Sequence, residues 1–195
     1  NSFAGMAMET VSFYQQGRDF GYQVYVSLRD ASVSINQQWD TWPHSQCQTE
    51  ECFRREQVTI AQIPADDVLI GIARQFAQEH GIDLSGYGEP EVDKLWKRDY
   101  DRATDKSTAW IPDTQRVIFP FLVDGQPVYD QGGVKNGISI GVHVKHRRVT
   151  DVYGIMDRTY QKSAYEGVTE ESAVRDYLST VDNFPIDAMT SGGGE

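Results

Sequence analysis

Gly137-Ile138-Ser139-Ile140-Gly141-Val142-His143-Val144-Lys145-His146-Arg147-Arg148-Val149-Thr150-Asp151-Val152-Tyr153-Gly154-Ile155 is the stretch that decides the fold. Ile138, Ile140, Val142 and Val144 alternate with Ser139, Gly141, His143 and Lys145. A period of two turns one side of a strand to a core and the other away from it. His146-Arg147 reads as a tight turn, and Arg148 to Ile155 as the strand that returns beside the first. The Gly-rich run Asp130 to Gly137 leads into this hairpin. Before it, Arg116 to Val123 and Gln126 to Tyr129 flank Asp124-Gly125. Asp-Gly between extended runs is a hairpin signal, because both residues tolerate positive φ. Pro120 and Pro127 assign parts of these strands to an edge or a bulge.

Further upstream, Tyr22, Val24, Val26 and Leu28 alternate as a half-buried strand, and Val33 and Ile35 continue into a partner strand. Met6 to Tyr14 fits either a short helix or an extended arm. Asn36 to Arg55 is polar, carries Trp39 and Trp42, and reads as a long surface excursion. A helix begins near Pro64, with Asp66 and Asp67 at the positive end of its dipole. Leu69, Ile72, Ala73 and Phe76 form its apolar stripe, His80 lies in its last turn, and Gly81 caps it. Val92 to Trp96 resumes a strand pattern, and the charged run Lys97 to Ala109 reads as an exposed hairpin tip or insertion. Thr169-Glu170-Glu171 opens a second helix, with Thr169 as N-cap and a stripe of Ala173 or Val174, Tyr177, Leu178 and Val181. The expected class is α+β: a largely antiparallel sheet, a meander of hairpins, packed by two amphipathic helices. Residues 1–62 form N-terminal strands and the cysteine loop of that same domain, 63–189 its α+β core, and 190–195 a flexible tail or the start of a linker.

The 195 residues carry 18 Lys and Arg against 29 Asp and Glu, a net charge of −11, and their mean hydropathy is −0.53. An acidic surface repels phosphate backbones, so nucleic acid is not an expected partner. No apolar run approaches the length of a membrane span, so membrane anchoring would have to come from a segment absent from this chain. Asn1 in place of Met suggests a chain that starts downstream of a removed or missing piece. Cys47 and Cys52 are the only cysteines. Their closeness in a polar segment fits a local disulfide and an extracytoplasmic location, meaning cell surface, periplasm or secreted. Free thiols and a zinc site are the alternatives, and zinc has only His44 nearby to add.

Gly137-Ile138-Ser139-Ile140-Gly141 spells G-x-S-x-G, but a nucleophile elbow requires a strand-to-helix turn, and here strand pattern continues past the serine. His143 and His146, three apart, point to opposite faces of a strand unless the turn bends them together. With Lys145, Arg147 and Arg148 they make the densest basic patch of an acidic chain, either a solvated turn or a contact for an acidic partner or lipid headgroups. Asp99, Asp101 and Asp105 are weak calcium candidates, because Thr104 stands where a calcium loop needs glycine. Glu89, Glu91 and Asp93 alternate as an acidic face. Gly132-Gly133 lacks a following Lys-Ser/Thr, so no phosphate cradle and no cofactor are expected. Ten Tyr, eight Phe and four Trp are many for a small core. Trp39 and Trp42, in a loop expected to be exposed, either meet a partner or cap the core.

Ile63 to Trp96, with Ala73-Arg74-Gln75-Phe76 and Gly81-Ile82-Asp83-Leu84, resembles the helix-then-strand unit of PepSY-like and YycH/YycI-type extracytoplasmic domains. Val117-Ile118-Phe119-Pro120, Val128-Tyr129-Asp130-Gln131-Gly132 and Arg148-Val149-Thr150 are similar to stretches of bacterial envelope proteins. About half the chain takes part, and no functional residue is carried over. The resemblance implies a non-catalytic domain that regulates, inhibits or assembles with other proteins. The resulting expectation is an extracytoplasmic interaction module whose partners are other envelope proteins or copies of itself, meeting at sheet edges or the aromatic cysteine loop. A hydrolase assembled only in three dimensions, and a metal- or ligand-binding domain, are the alternatives.

Overall fold

The computed structural model describes residues 9–15, 17, 19–43, 47–129 and 133–156. The helix expected from Thr169 and the tail 190–195 lie outside these residues. In chain order the elements are β1 (Thr10–Tyr14), β2 (Tyr22–Ser27), β3 (Ser32–Gln37), α1 (Glu50–Glu56), α2 (Asp66–Glu79), β4 (Glu91–Val92), α3 (Leu95–Arg102), β5 (Thr114–Pro120), β6 (Leu122–Val123), β7 (Gln126–Pro127), β8 (Gly137–His143) and β9 (Arg148–Met156). Seven strands form one antiparallel sheet in the order β1-β2-β3-β9-β8-β5-β4, and β6 and β7 form a separate small ribbon. The class is α+β with a meander of hairpins, as the alternation predicts.

The β8–β9 hairpin lies near the middle of the sheet, and its apolar side is the core. Ile138, Ile140, Val142, Val149 and Val152 are fully buried, together with Val117 and Phe119 of β5. Across them lies α2, whose Leu69, Ala73, Phe76 and Ala77 are buried, with Ile72 packed at the margin. Burying each large aliphatic side chain stabilises the fold by about 1.5–3 kcal/mol. Gly81 ends α2 at φ 66°, in the cap position. Asp124 and Gly125, at φ 51° and 78°, make the two-residue turn between β6 and β7.

Several expectations are corrected. Trp96 is not in a strand, and Lys97 to Arg102 is not a hairpin tip: β4 is only Glu91–Val92, and α3 begins at Leu95. Trp96 and Tyr100 lie one helical turn apart and pack on a second small core of Val58, Ile111 and Val144. Val144 therefore leaves the β8 stripe for this second core, because the turn begins there. The excursion from Asn36 is partly regular, with a short 3-10 helix at Trp39–Thr41 and α1 at Glu50–Glu56. Near the N-terminus, Thr10–Tyr14 is a strand, the extended one of the two alternatives.

Gly154 shows how closely the strands approach. β9 carries two residues, Tyr153 and Gly154, where β3 has only Ser34, a bulge that Gly154 accommodates at φ 83°. A Cβ there would sit 2.2 Å from the Gly137 carbonyl oxygen, whereas at Gly81 it would meet nothing within 4 Å. Gly81→Ala carries only the left-handed strain, roughly 1–2 kcal/mol. Gly154→Ala adds overpacking, for a total loss of about 2–5 kcal/mol in urea unfolding. Equal losses at the two positions would refute this account of the bulge.

Candidate functional site

Cys47 and Cys52 form a disulfide with a Cα–Cα distance of 5.4 Å. The bridge ties the approach of α1 to its first turn. Thr49 caps the helix by accepting from the Cys52 N–H, and Glu50 and Glu51 pair with Arg54 and Arg55 one turn on. Among the described residues, Cys47, Cys52 and Glu56 are the one cluster of three possible metal ligands, and its two sulfurs are bonded to each other. His44 lies outside the described residues. Asp99, Asp101 and Asp105 do not converge: Asp101 pairs with Lys97 at 2.8 Å and Asp99 lies 3.7 Å from Arg98. Asp105 accepts from the Ser107 N–H and hydroxyl, which hold its carboxyl below the usual range.

The two tryptophans part company. Trp39 stands 72% exposed, but Trp42 is only 3% exposed, so of the two alternatives Trp42 takes the core-capping one and Trp39 stays at the surface. Trp42 donates its indole N–H to the Gly21 carbonyl at 2.8 Å and meets Phe20 and Tyr22 edge-on. His146 packs against both Phe20 and Trp42, and the Arg148 guanidinium lies 4.5 Å over the Phe20 ring. The basic turn and the aromatic segment, a hundred residues apart in sequence, thus meet in one cluster. Tyr22 completes it by donating to the Val149 carbonyl, and burial pushes its phenol up to about 12. Lys145 reaches the Glu56 carbonyl, while Arg147, at φ 54°, is exposed in the turn. Lys145, Arg147 and Arg148 are all exposed, as a solvated turn requires, and the cationic groups of Lys145 and Arg148 also contact their own chain.

The same turn brings His143 and His146 together, with ring centroids 4.4 Å apart. The Nδ1 of His143 accepts from the backbone N–H groups of Lys145 and His146, and its Nε2 faces Asp113 at 3.9 Å. Burial, and then His146, push His143 below the ordinary imidazole value, against the upward pull of Asp113. His80, by contrast, stacks on Phe76 and its Nδ1 bonds the Phe76 carbonyl, a helix-end arrangement.

On the sheet face opposite α2, Ser139 sits in mid-strand with Arg116 at its hydroxyl, 3.4 Å away. Arg116 also pairs with Asp151, which accepts from Thr150 as well. Gly141 leaves room for this arrangement, since a Cβ there would lie 2.5 Å from the Asp151 carboxylate. Glu91 of the acidic alternation is bound by Lys135, and Glu89 by Arg74 at 3.2 Å.

Sequence reading missed a cleft of about 360 Å³ where α3 passes the start of β5. Trp96, Trp110, Asp93, Asp113, Thr114 and Arg116 line it. Asp93 positions α3 by accepting from the Leu95 N–H, and Trp96 donates its indole N–H to buried Gln115. The available signal was the helical spacing of Trp96 with Tyr100 and Lys97 with Asp101.

No protein-family model, curated protein or solved structure matches this chain. Among the described residues, no helix is long and apolar enough to cross a membrane.

The depressed pKa of His143 gives stability a defined pH dependence. The unfolded chain takes up its proton near 6.5 and the folded chain only at lower pH, so the unfolded state binds more protons between the two values. This contribution is intact above about 6.5 and declines as pH falls through the interval. Urea midpoints measured from pH 7.5 downward are expected to drop, and the drop is expected to shrink in His143→Asn, which keeps a side-chain acceptor. An identical pH profile in the variant would exclude His143 as the source.

Proposed function

We propose that this chain is a non-catalytic, extracytoplasmic interaction module whose copies join through β1. The observation that carries the reading is the position of β1 at the end of the seven-stranded sheet. Among the described residues, nothing pairs with its outer edge. Phe13 and Tyr14 are 59% and 60% exposed there. A free strand edge is a template for another strand, and natural proteins usually protect it with charge, proline or a bulge. Thr10-Val11-Ser12-Phe13-Tyr14 has none of these residues.

A second copy suits this edge by symmetry. Antiparallel pairing of β1 with itself about a twofold axis at Ser12 sets Val11 opposite Phe13 on one face and Thr10 opposite Tyr14 on the other. Apolar residues then meet apolar residues, and no like charges face each other within the strand. The Cys47–Cys52 disulfide supports an oxidising compartment. A non-catalytic role draws support from Ser139, which has an arginine rather than a histidine at its hydroxyl, and from His80, whose ring bonds a backbone carbonyl. The resemblance to PepSY-like and YycH/YycI-type domains points the same way, to assembly rather than turnover.

Sedimentation velocity across a concentration series is the test. The chain is expected to dimerise reversibly, and Ser12→Lys, which sets two ammonium groups face to face at the axis, to weaken the dimer by about tenfold or more. Ser12→Cys is expected to yield a covalent dimer under mild oxidation. A chain that stays monomeric at every concentration, or a dimer indifferent to Ser12→Lys, would overturn the proposal.

A further inference from the structure

We infer that the cleft beside α3 binds an organic ammonium group, held between the Trp96 and Trp110 indoles by the carboxylates of Asp93 and Asp113. This site is separate from the β1 edge and does not depend on it. Trp110 is 69% exposed, a large apolar surface left open to water at the mouth of a cleft. Its counterpart Trp96 is fixed, because its N–H is bonded to Gln115 and its ring packs on Tyr100 and the second small core.

The chemistry of the walls selects the ligand class. Arg116 is the cation of the lining, and its guanidinium is engaged by Asp151 and Ser139. The nearby lysines are paired as well, Lys94 with Asp66 and Lys97 with Asp101. Asp93 uses one carboxylate oxygen on the Leu95 N–H, and Asp113 remains well exposed, with His143 beyond hydrogen-bond distance. Beside the donors of Thr114, Trp110 and Arg116, the cleft offers two carboxylates and aromatic faces, and its uncompensated charge is negative. An anion is repelled, and a neutral sugar gains nothing from the uncompensated charge. A cation gains from both the ring quadrupoles and the carboxylates. The same headgroup chemistry occurs on a free methylated amine and on a lysine side chain of another polypeptide.

The test follows the indole N–H resonances of the full chain during titration with tetramethylammonium chloride, with sodium chloride at matched ionic strength as control. Saturable shifts at Trp96 and Trp110 are expected. Asp113→Asn is expected to weaken binding by about three- to fivefold, and Trp110→Ala, read at Trp96, by at least as much. Unchanged amide resonances away from the cleft establish that each variant is folded. Nα-acetyl-lysine amide separates the two sources: tighter binding than tetramethylammonium assigns the site to a polypeptide lysine, weaker binding to a free quaternary amine. The proposal is overturned if neither probe gives a saturable shift, if both variants bind as tightly as the parent chain, or if glucose shifts these indoles while the ammonium probes do not.

Discussion

The contact between α2 and the apolar side of the β8–β9 hairpin is the constraint on which the rest of the domain depends. Leu69, Ala73 and Phe76 meet Ile138, Ile140 and Val152 with almost no residual exposure. Water is excluded there from both the helix stripe and the sheet centre. A one-residue slip in β8 would turn Ser139 and Gly141 into this core, so burial also sets the register of the neighbouring strands. The close approach of Gly154 to Gly137 is part of the same arrangement, since the bulge lets β9 keep Val152 inward while it pairs with β3 on one side and β8 on the other.

With this centre in place, the two ends of the sheet differ in character. β1 ends the sheet as a short uncharged strand with aromatic residues exposed. At the other end β4 covers only Val117 and Ile118 of β5. The start of β5 is left to α3 and the Trp110 segment, and the cleft occupies that gap. The basic turn between β8 and β9 is a packing element as well as a surface patch, because His146 meets Phe20 and Trp42 and the exposed Arg148 lies over Phe20.

Much of the fold was legible wherever a periodic pattern ran long enough. The β8 alternation as far as Val142, the Asp124-Gly125 turn and the capped stripe of α2 each rest on one local rule, and the structure keeps all three. The misreadings fall on short elements. α1 carries at Thr49-Glu50-Glu51 the same capping signature as Thr169-Glu170-Glu171, but within a polar segment whose closely spaced cysteines fit a loop equally well. α3 was hidden by charge, since eight residues bearing Lys97, Arg98, Asp99, Asp101 and Arg102 suggest a solvated tip. Its helical form rests on Trp96 and Tyr100 packing against Val58, Ile111 and Val144, contacts remote in sequence.

The sequence by itself determined an α+β chain with a central antiparallel hairpin, a covering amphipathic helix and a local disulfide, because each follows from spacing within about a dozen residues. Only the tertiary structure decided that Trp42 is interior while Trp39 is not, that the two histidines of the basic turn lie against each other, and that Asp93 and Asp113 share a cleft with two tryptophans. The reason is physical. Side-chain period reports which face a residue occupies, but what lies across that face depends on strand order and loop path, and contacts between distant segments are set by the closing of the whole core.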